Sequence, residues 1–266
     1  MAITALHTAA TAMDALSTKI DVIANNIANA GTVAFKSSRA NFQDLLYQVQ
    51  AQPGVQTADS AIGTPLGTQI GLGVAVSNTQ VSFRQGSPQS TGNPLDVMIN
   101  GDGFFKVELP GGGTGYTRAG NFVRNADGDL VLGNSVGHLL QDAPTIPTDV
   151  PADSIGISSD GQVMVTIDGT SQSLGQLQLV RFPNAAGLLQ HGDNIFLASA
   201  ASGDPIEGTA GQDGIGTLSA GMLELSNTSA VTELVELIKT QRVFQMNSQT
   251  IQSADETLQV VANLRR

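Results

Sequence analysis

Apolar residues recur along the first thirty-six positions at a spacing that belongs to a helix. Leu6, Met13, Ile20 and Ile27 return every seven residues, and Ala9, Leu16, Ile23 and Ala30 follow each of them by three. This is an a/d heptad over four repeats, which gives a helix one narrow apolar seam. Alanine at two of the d positions lets a partner helix approach closely. Asn29-Ala30-Gly31 ends the run, with Gly31 where a left-handed C-cap falls. From Ala230 onward the pattern returns. Leu237, Phe244, Ile251 and Leu258 are again seven apart, and Leu234, Ala254 and Val261 thicken that stripe. Thr228 or Ser229 caps its start, Glu233 and Glu236 suit the positive end of the helix dipole, and Arg265 and Arg266 suit the other end. Two terminal helices with matching seams are therefore expected. The seams alone fit equally well a helical hairpin that merely closes a globular domain.

Between the helices the period changes. Phe42, Leu45, Leu46 and Val49 keep helical spacing over a short stretch. Residues 51–73 are rich in Gly, Pro, Ser, Thr and Gln, the composition of a linker. Yet Val55, Ile62, Leu66, Ile70 and Leu72 make it more apolar than a freely solvated linker, so an extended segment docked on something is expected. From Val74 to Leu223 short alternating runs such as DVMING, GFFKVEL, QVMVTI and NIFLAS are separated by Asn100-Gly101, Asp102-Gly103, Asp127-Gly128 and Asp160-Gly161 turns. Strands with hairpin turns and no intervening helices imply an antiparallel sheet domain. The expected class is α+β: paired N- and C-terminal helices, coiled-coil-like, around a central antiparallel β-rich domain. The expected division is 1–36, helix; 37–73, extended linker; 74–223, β-rich domain; 224–266, helix.

Charge sharpens this division. The net charge is −11, and residues 1–36 and 230–266 are each neutral, so the middle carries all of it with 6 bases against 17 acids. Neutral ends pack against copies of themselves without a long-range penalty. An acidic middle repels nucleic acid and anionic membrane, and no phosphate-binding patch is visible. The 266 residues contain no cysteine, which excludes disulfides and thiolate metal sites. No apolar run is long enough for a membrane span. The N-terminus lacks a basic n-region, and His7 and Asp14 interrupt any apolar one, so it is not read as a cleavable secretory signal.

Candidate chemistry is thin. Asn125-Ala126-Asp127-Gly128-Asp129 opens like a calcium loop, but Leu130 and Val136 stand where Gly and Glu are needed, so a turn between strands is expected. Gly101-Asp102-Gly103 opens no helix, against a dinucleotide fingerprint. His7, His138 and His191 are far apart, and no nucleophile–base set stands out. No enzyme activity and no cofactor is expected.

Other residues carry a resemblance. Ala24-Asn25-Asn26-Ile27-Ala28-Asn29 followed by Thr32, Phe35 and Lys36 resembles the N-terminal signature of the flagellar rod and hook proteins. Thr91-Gly92-Asn93-Pro94-Leu95-Asp96-Val97, with Ile99-Asn100-Gly101-Asp102-Gly103-Phe104-Phe105, resembles that family's central motif, and Tyr116-Thr117-Arg118 with Gly120 and Phe122 follows it. Thr240-Gln241-Arg242-Val243-Phe244 with Asn247-Ser248 resembles the C-terminal helix motif. The marks keep their order over nearly the whole chain. Within the family, the length, the start at Ala5-Leu6-His7, and Leu45-Leu46-Tyr47-Gln48 with Gln52-Pro53-Gly54 resemble the distal-rod branch, with the proximal-rod branch as the alternative. Two departures stand out. Ala34 replaces a Gly common before Phe35, which speaks against a positive φ there, and Ala119 replaces a common Asp, which removes a loop hydrogen bond.

The resemblance implies a structural subunit of a helical tube that transmits torque across the periplasm, with the terminal helices as its inner layer and the β domain outside. The expected assembly seam is Leu6, Met13, Leu16, Ile20, Ile23, Ile27, Leu234, Leu237, Phe244, Ile251, Leu258 and Val261. The family positions are Asn25, Asn26, Asn29, Phe35, Lys36, Asn93, Pro94, Gly101, Gly103, Phe104, Gln241 and Arg242. Heptad arithmetic places Asn25, Asn26 and Asn29 away from the intrachain seam, where they are either incidental near a helix end or bonded to neighbouring subunits. Implied partners are the chain itself as a homopolymer, neighbouring rod and hook-side proteins, the P- and L-ring proteins around the rod, and the flagellar type III export apparatus. The implied location is the bacterial flagellar basal body, reached without a cleaved signal. The remaining alternative from another class is a secreted β-domain adhesin or binding module on a helical stalk.

Overall fold

A computed structural model describes residues 2–53, 66–167 and 170–264. Among these are two long helices, α1 (Ala2–Ala28) and α2 (Ala230–Leu264), and many short strands. Every strand pairing of defined register is antiparallel. The expected α+β architecture is thus observed. The chain forms two compact units. One comprises residues 1–28, 38–80 and 229–266, and the other residues 29–37 and 81–228.

In the first unit α1 packs along α2. The face of α1 that is covered is broader than an a/d seam. Ala9, Ala15, Ile23 and Asn26 are buried, while Leu6, Met13, Leu16, Ile20 and Ile27 are half-buried. On α2 the covered stripe is Leu237, Thr240, Phe244, Asn247, Ile251 and Ala254, again three and four residues apart. Thr240 is its only wholly buried member among the described residues, and its hydroxyl donates to the carbonyl of Glu236 at 2.8 Å. Lys19 crosses between the helices to Glu236 at 2.6 Å.

The stretch after α1 is extended, which overturns the helical spacing of Phe42, Leu45, Leu46 and Val49. Strand Ser38–Asp44 pairs with Val74–Val81, and Tyr47–Ala51 pairs with Thr68–Gly71. The reason is visible at Asn26. Its carboxamide donates to the carbonyl of Ser38 at 2.8 Å and accepts from the Ser38 N–H at 3.0 Å. This two-point clamp holds the backbone extended where a new helix would begin. Farther along, Leu45 N–H bonds to Gly73 and Leu72 N–H to Leu46, so the two segments run as a ladder. Gly73 has φ +123, and a Cβ there would collide with the Thr11 hydroxyl, so glycine allows the returning strand to pass against α1. The expected linker is therefore a β-hairpin in its described parts. Val55 and Ile62 fall outside the described residues, while Leu46, Tyr47, Val49 and Leu66 are exposed.

The second unit holds two apolar cores. The larger collects Val97, Ile99, Phe105, Phe122, Leu130 and Ile146 with the strands Gln162–Ile167 and Gln178–Arg181. The smaller is aromatic: Phe104, Tyr116, Phe182 and Phe196, with Phe83 packed on it, meet edge to face at 4.8 to 6.1 Å. Its sheet runs in the order 189–192, 195–197, 114–117, 105–108. The Asp127-Gly128 stretch is the expected turn. Asn125 Oδ1 accepts from the N–H groups of Asp127 and Asp129, and Gly128 has φ +93.

Candidate functional site: a buried ionic junction and a two-faced helix

Three stretches far apart in sequence meet inside the second unit. They are the residues just after α1, the strand-exit residues 82–86, and the residues leading into α2. Ser82 N–H bonds to Ser37, Ser37 N–H bonds to Asn227 Oδ1 at 2.8 Å, and Asn227 Nδ2 reaches the carbonyls of Ser82 and Arg84 at 2.7 and 3.0 Å. Ala34 N–H bonds to the Glu224 carbonyl at 2.8 Å. To do so Ala34 takes φ +57 while only 1% exposed. The expectation that alanine excludes a left-handed backbone here is overturned. The tertiary bonds on either side fix the backbone, and the residue carries a strain of about 1–2 kcal/mol. The other departure, Ala119, is buried in the larger core, and its N–H bonds to Thr117 Oγ1 at 3.1 Å.

At the centre lie Lys36, Glu224 and Arg118. The side chains of Lys36 and Glu224 are 0% exposed. Lys36 Nζ donates to Glu224 Oε1 at 2.5 Å and to the Arg84 carbonyl at 2.9 Å. Glu224 Oε1 also accepts from Gly86 N–H at 2.7 Å, and Oε2 accepts from Arg118 Nε at 3.0 Å. The rest of the Arg118 guanidinium is saturated by backbone: Gly103 at 3.1 Å, Gly101 at 2.8 Å and Ile99 at 3.4 Å. Gly101 and Gly103 have φ +102 and +148, which turn those carbonyls inward at a cost few other residues tolerate. Arg118 also sits 5.8 Å from the Phe104 ring centroid.

Two cations share one anion here, buried from the bulk solvent that would screen the excess. Burial, and then Arg118, hold the Lys36 ammonium down from 10.5 to about 8. Burial pushes the Glu224 carboxyl up, but Arg118 and Lys36 together outweigh it and bring it below its ordinary value. The arrangement contains no nucleophile beside a base. Its chemistry is cohesive: one carboxylate with three donors ties three chain segments together.

The expected positions fall as follows. Lys36, Gly101, Gly103 and Phe104 belong to this junction, Phe104 through its ring. Phe35 is half-buried beside it, and its carbonyl accepts from Asn227 N–H. Asn93 and Pro94 shape a turn in which Asn93 Oδ1 accepts from Leu95 N–H and Nδ2 donates to Asp96 Oδ1. Asn26 is not free for a neighbour, because its carboxamide is spent on Ser38. Asn29 accepts from Thr32 through both its carbonyl and its side chain. Asn25, Gln241 and Arg242 are exposed. Glu224 and Asn227 are absent from the expected site set, and Arg118 and Thr240 stood only among the family marks. Only the lone acid closing the last strand, and the tyrosine-threonine-arginine run, could have pointed to them.

The stripe of α2 that α1 covers stops short of both ends of the expected assembly seam. Leu234 is 47% exposed and Leu258 is 37% exposed, and the Val261 side chain lies outside the described residues. Leu234 instead lies close to a second apolar stripe: Val231, Val235, Ile238, Met246 and Val260. At 100° per residue these five sit opposite the stripe that faces α1. They are 46 to 73% exposed. One face of α2 is thus paired within the chain and the other is apolar without a cover among the described residues.

Comparison with known proteins agrees with this geometry. Residues 6–36 match the family model for the flagella basal body rod protein, 98–165 match the flagellar hook protein FlgE/F/G D1 domain, and 219–264 match the flagellar basal body rod FlgEFG protein C-terminal region. The chain is similar to the flagellar basal-body rod protein FlgG of Caulobacter vibrioides, 44% identical over 98% of this chain and 99% of that one. It is 41% identical to FlgG of Bacillus subtilis over 98% of each. It is 30% identical to the Bacillus subtilis flagellar hook-basal body complex protein FlhP over 97% of this chain and 98% of that one. Each of the three matched segments contains part of the buried junction or of the helix pair, and the chain belongs to the flagellar basal-body rod and hook protein family.

Proposed function

We infer that this chain is a structural subunit of the distal rod of the bacterial flagellar basal body, where copies assemble into a stiff helical tube that carries torque from motor to hook. The observation that carries this reading is the two-faced α2. A helix whose inner stripe is filled by α1 still offers Val231, Val235, Ile238, Met246 and Val260 outward. Covering such a stripe yields roughly 25 cal/mol per Å² of apolar surface. The terminal segments are net neutral, so a second copy meets no charge barrier there. The exposed Leu46, Tyr47, Val49 and Leu66 of the hairpin extend the apolar surface of the same unit. The neighbours in the cell are further rod and hook-side proteins and the P- and L-ring proteins. Delivery is by the flagellar export apparatus. The chain does no chemistry.

Ile238→Asp tests this. The variant keeps α1–α2 pairing, so the helical content of dilute protein is unchanged, but it forms no filaments in electron micrographs of concentrated protein and does not restore motility. Normal filaments from Ile238→Asp would remove the outer stripe from the assembly surface.

A further inference from the structure

The junction borders a recess of about 170 Å³ in the second unit, walled by Phe83, Phe104 and Phe182 and reached by Arg118 and Arg181. Arg181 ends the strand Gln178–Arg181. Among the described residues its Nε–H is buried with no acceptor, and its guanidinium forms no ion pair. The other wholly or partly buried basic residues of this unit are all satisfied. Lys36 and Arg118 meet Glu224, Lys106 meets Asp142 and Glu207, and Arg124 meets the carbonyls of Pro147 and Val150. A buried N–H of a charged group left without an acceptor is costly, and among the described residues none supplies one to Arg181.

We propose that this recess is a carboxylate-binding site, which takes a carboxylate on a short apolar stem against the unpartnered guanidinium of Arg181. The charge balance favours an anion. Arg118 and Arg181 line the recess with a single carboxylate, Asp102, which makes no ion pair among the described residues, and the Glu224 charge behind Arg118 is already shared with Lys36. The guanidinium fork matches the two oxygens of a carboxylate. The ring walls accept an apolar stem, which a carboxylic acid carries and an inorganic phosphate or a free metal ion lacks. At about 30 Å³ for each water it displaces, the recess has room for a carboxylate of a few carbons. Such a group has two sources, a free small acid or an Asp or Glu side chain of a second copy of this chain. The second copy is well supplied, since 17 acids lie between residues 37 and 229. That second source rests on the assembly reading above; the first does not.

Two measurements on the full-length chain test it. In the first, dilute protein is titrated with sodium butyrate or n-butanol and followed through its Phe ring resonances. Butyrate is expected to bind at least about tenfold more tightly than butanol, and Arg181→Gln to weaken butyrate about tenfold, which is about 1.4 kcal/mol. Arg181 has no partner to lose among the described residues, and circular dichroism checks that the variant is folded. In the second, sedimentation velocity follows self-association of concentrated protein. If the carboxylate comes from a second copy, butyrate and Arg181→Gln both lower association. If it comes from a free acid, association is unchanged while the butyrate selectivity persists. A chain that binds butyrate selectively but never self-associates upholds the recess and sinks the assembly reading. Equal binding of butyrate and butanol, or identical titrations of wild type and Arg181→Gln, would overturn the proposal.

Discussion

Glu224 is the one carboxylate that Lys36, Arg118 and the Gly86 N–H share. Replacing it by Gln removes the only anion among Lys36 and Arg118 and leaves two buried cations facing each other. Breaking a buried pair in this way costs about 3–5 kcal/mol, so Glu224→Gln should lower the urea midpoint of full-length protein strongly. Lys36→Met should cost far less at pH 7, because Arg118 and Glu224 remain as a neutral pair and Gly86 still bonds the carboxylate. The two differ in pH dependence as well. Lys36 is held at about 8 in the folded chain against 10.5 in the unfolded one. Between those values the unfolded state binds more protons, so stability rises as pH increases through this window. Wild type should gain on the order of 2 kcal/mol relative to Lys36→Met between pH 7.5 and 10, read from urea midpoints at each pH. A flat difference would show that Lys36 does not lose its proton in place. Ala34 offers a backbone test. Ala34→Gly relieves the left-handed strain but loses a buried methyl and adds unfolded-state freedom, so it should stay within about 1 kcal/mol of wild type. Ala34→Val puts a β-branched side chain at φ +57 and should cost more than about 2 kcal/mol.

At the scale of elements, α2 divides its labour between two stripes, and substitutions on them should fail differently. Phe244 faces α1 and is half-buried. A carboxylate there costs several kcal/mol if it stays charged, so Phe244→Asp should reduce helical content in the dilute monomer as well as abolish assembly. Ile238→Asp should abolish assembly alone. Lys239 is exposed and forms only a 3.9 Å pair with Glu236, so Lys239→Ala should leave basal bodies and motility intact. Circular dichroism of the three monomers, with basal-body microscopy, separates these outcomes. The hairpin after α1 is a second element with exposed apolar residues. Its heptad-like spacing pointed to a helix because Phe42, Leu45, Leu46 and Val49 repeat at three and four. The clamp from Asn26 to Ser38 and the ladder to residues 68–73 outweigh that weak local preference.

At the scale of the molecule, the two units are interleaved in sequence. Residues 29–37 belong with the β unit although they directly follow α1, and 38–80 belong with the helices. The division expected from the alternating strand pattern, with a β domain over 74–223, cuts the junction. It omits Lys36, Ala34 and Glu224, and leaves Arg118 buried without a counter-ion. A fragment of residues 29–228 should therefore resist limited proteolysis and unfold cooperatively, whereas residues 74–223 should be degraded at much lower protease concentration. Equal resistance of the two would mean that the junction contributes nothing to the cohesion of the β unit.

The sequence by itself determined the features that depend on neighbours along the chain. A seven-residue apolar period marks both helices, alternation marks the strands, and the Asn, Asp and Gly turns fall between them, because period and turn chemistry act over a few residues. The ordered marks also revealed the family. Tertiary structure alone decided which distant groups meet. Lys36 finds Glu224 188 positions away, and Arg118 finds it 106 positions away. No periodicity encodes such a pairing, since it depends on how the whole chain closes. The same holds for Asn26, whose buried carboxamide is placed by the strand that follows, and for Ala34, whose left-handed backbone is imposed by a bond to Glu224. It holds also for α2. Its sequence carries apolar residues on both sides, and only the packing of α1 determines which side is filled and which remains outward.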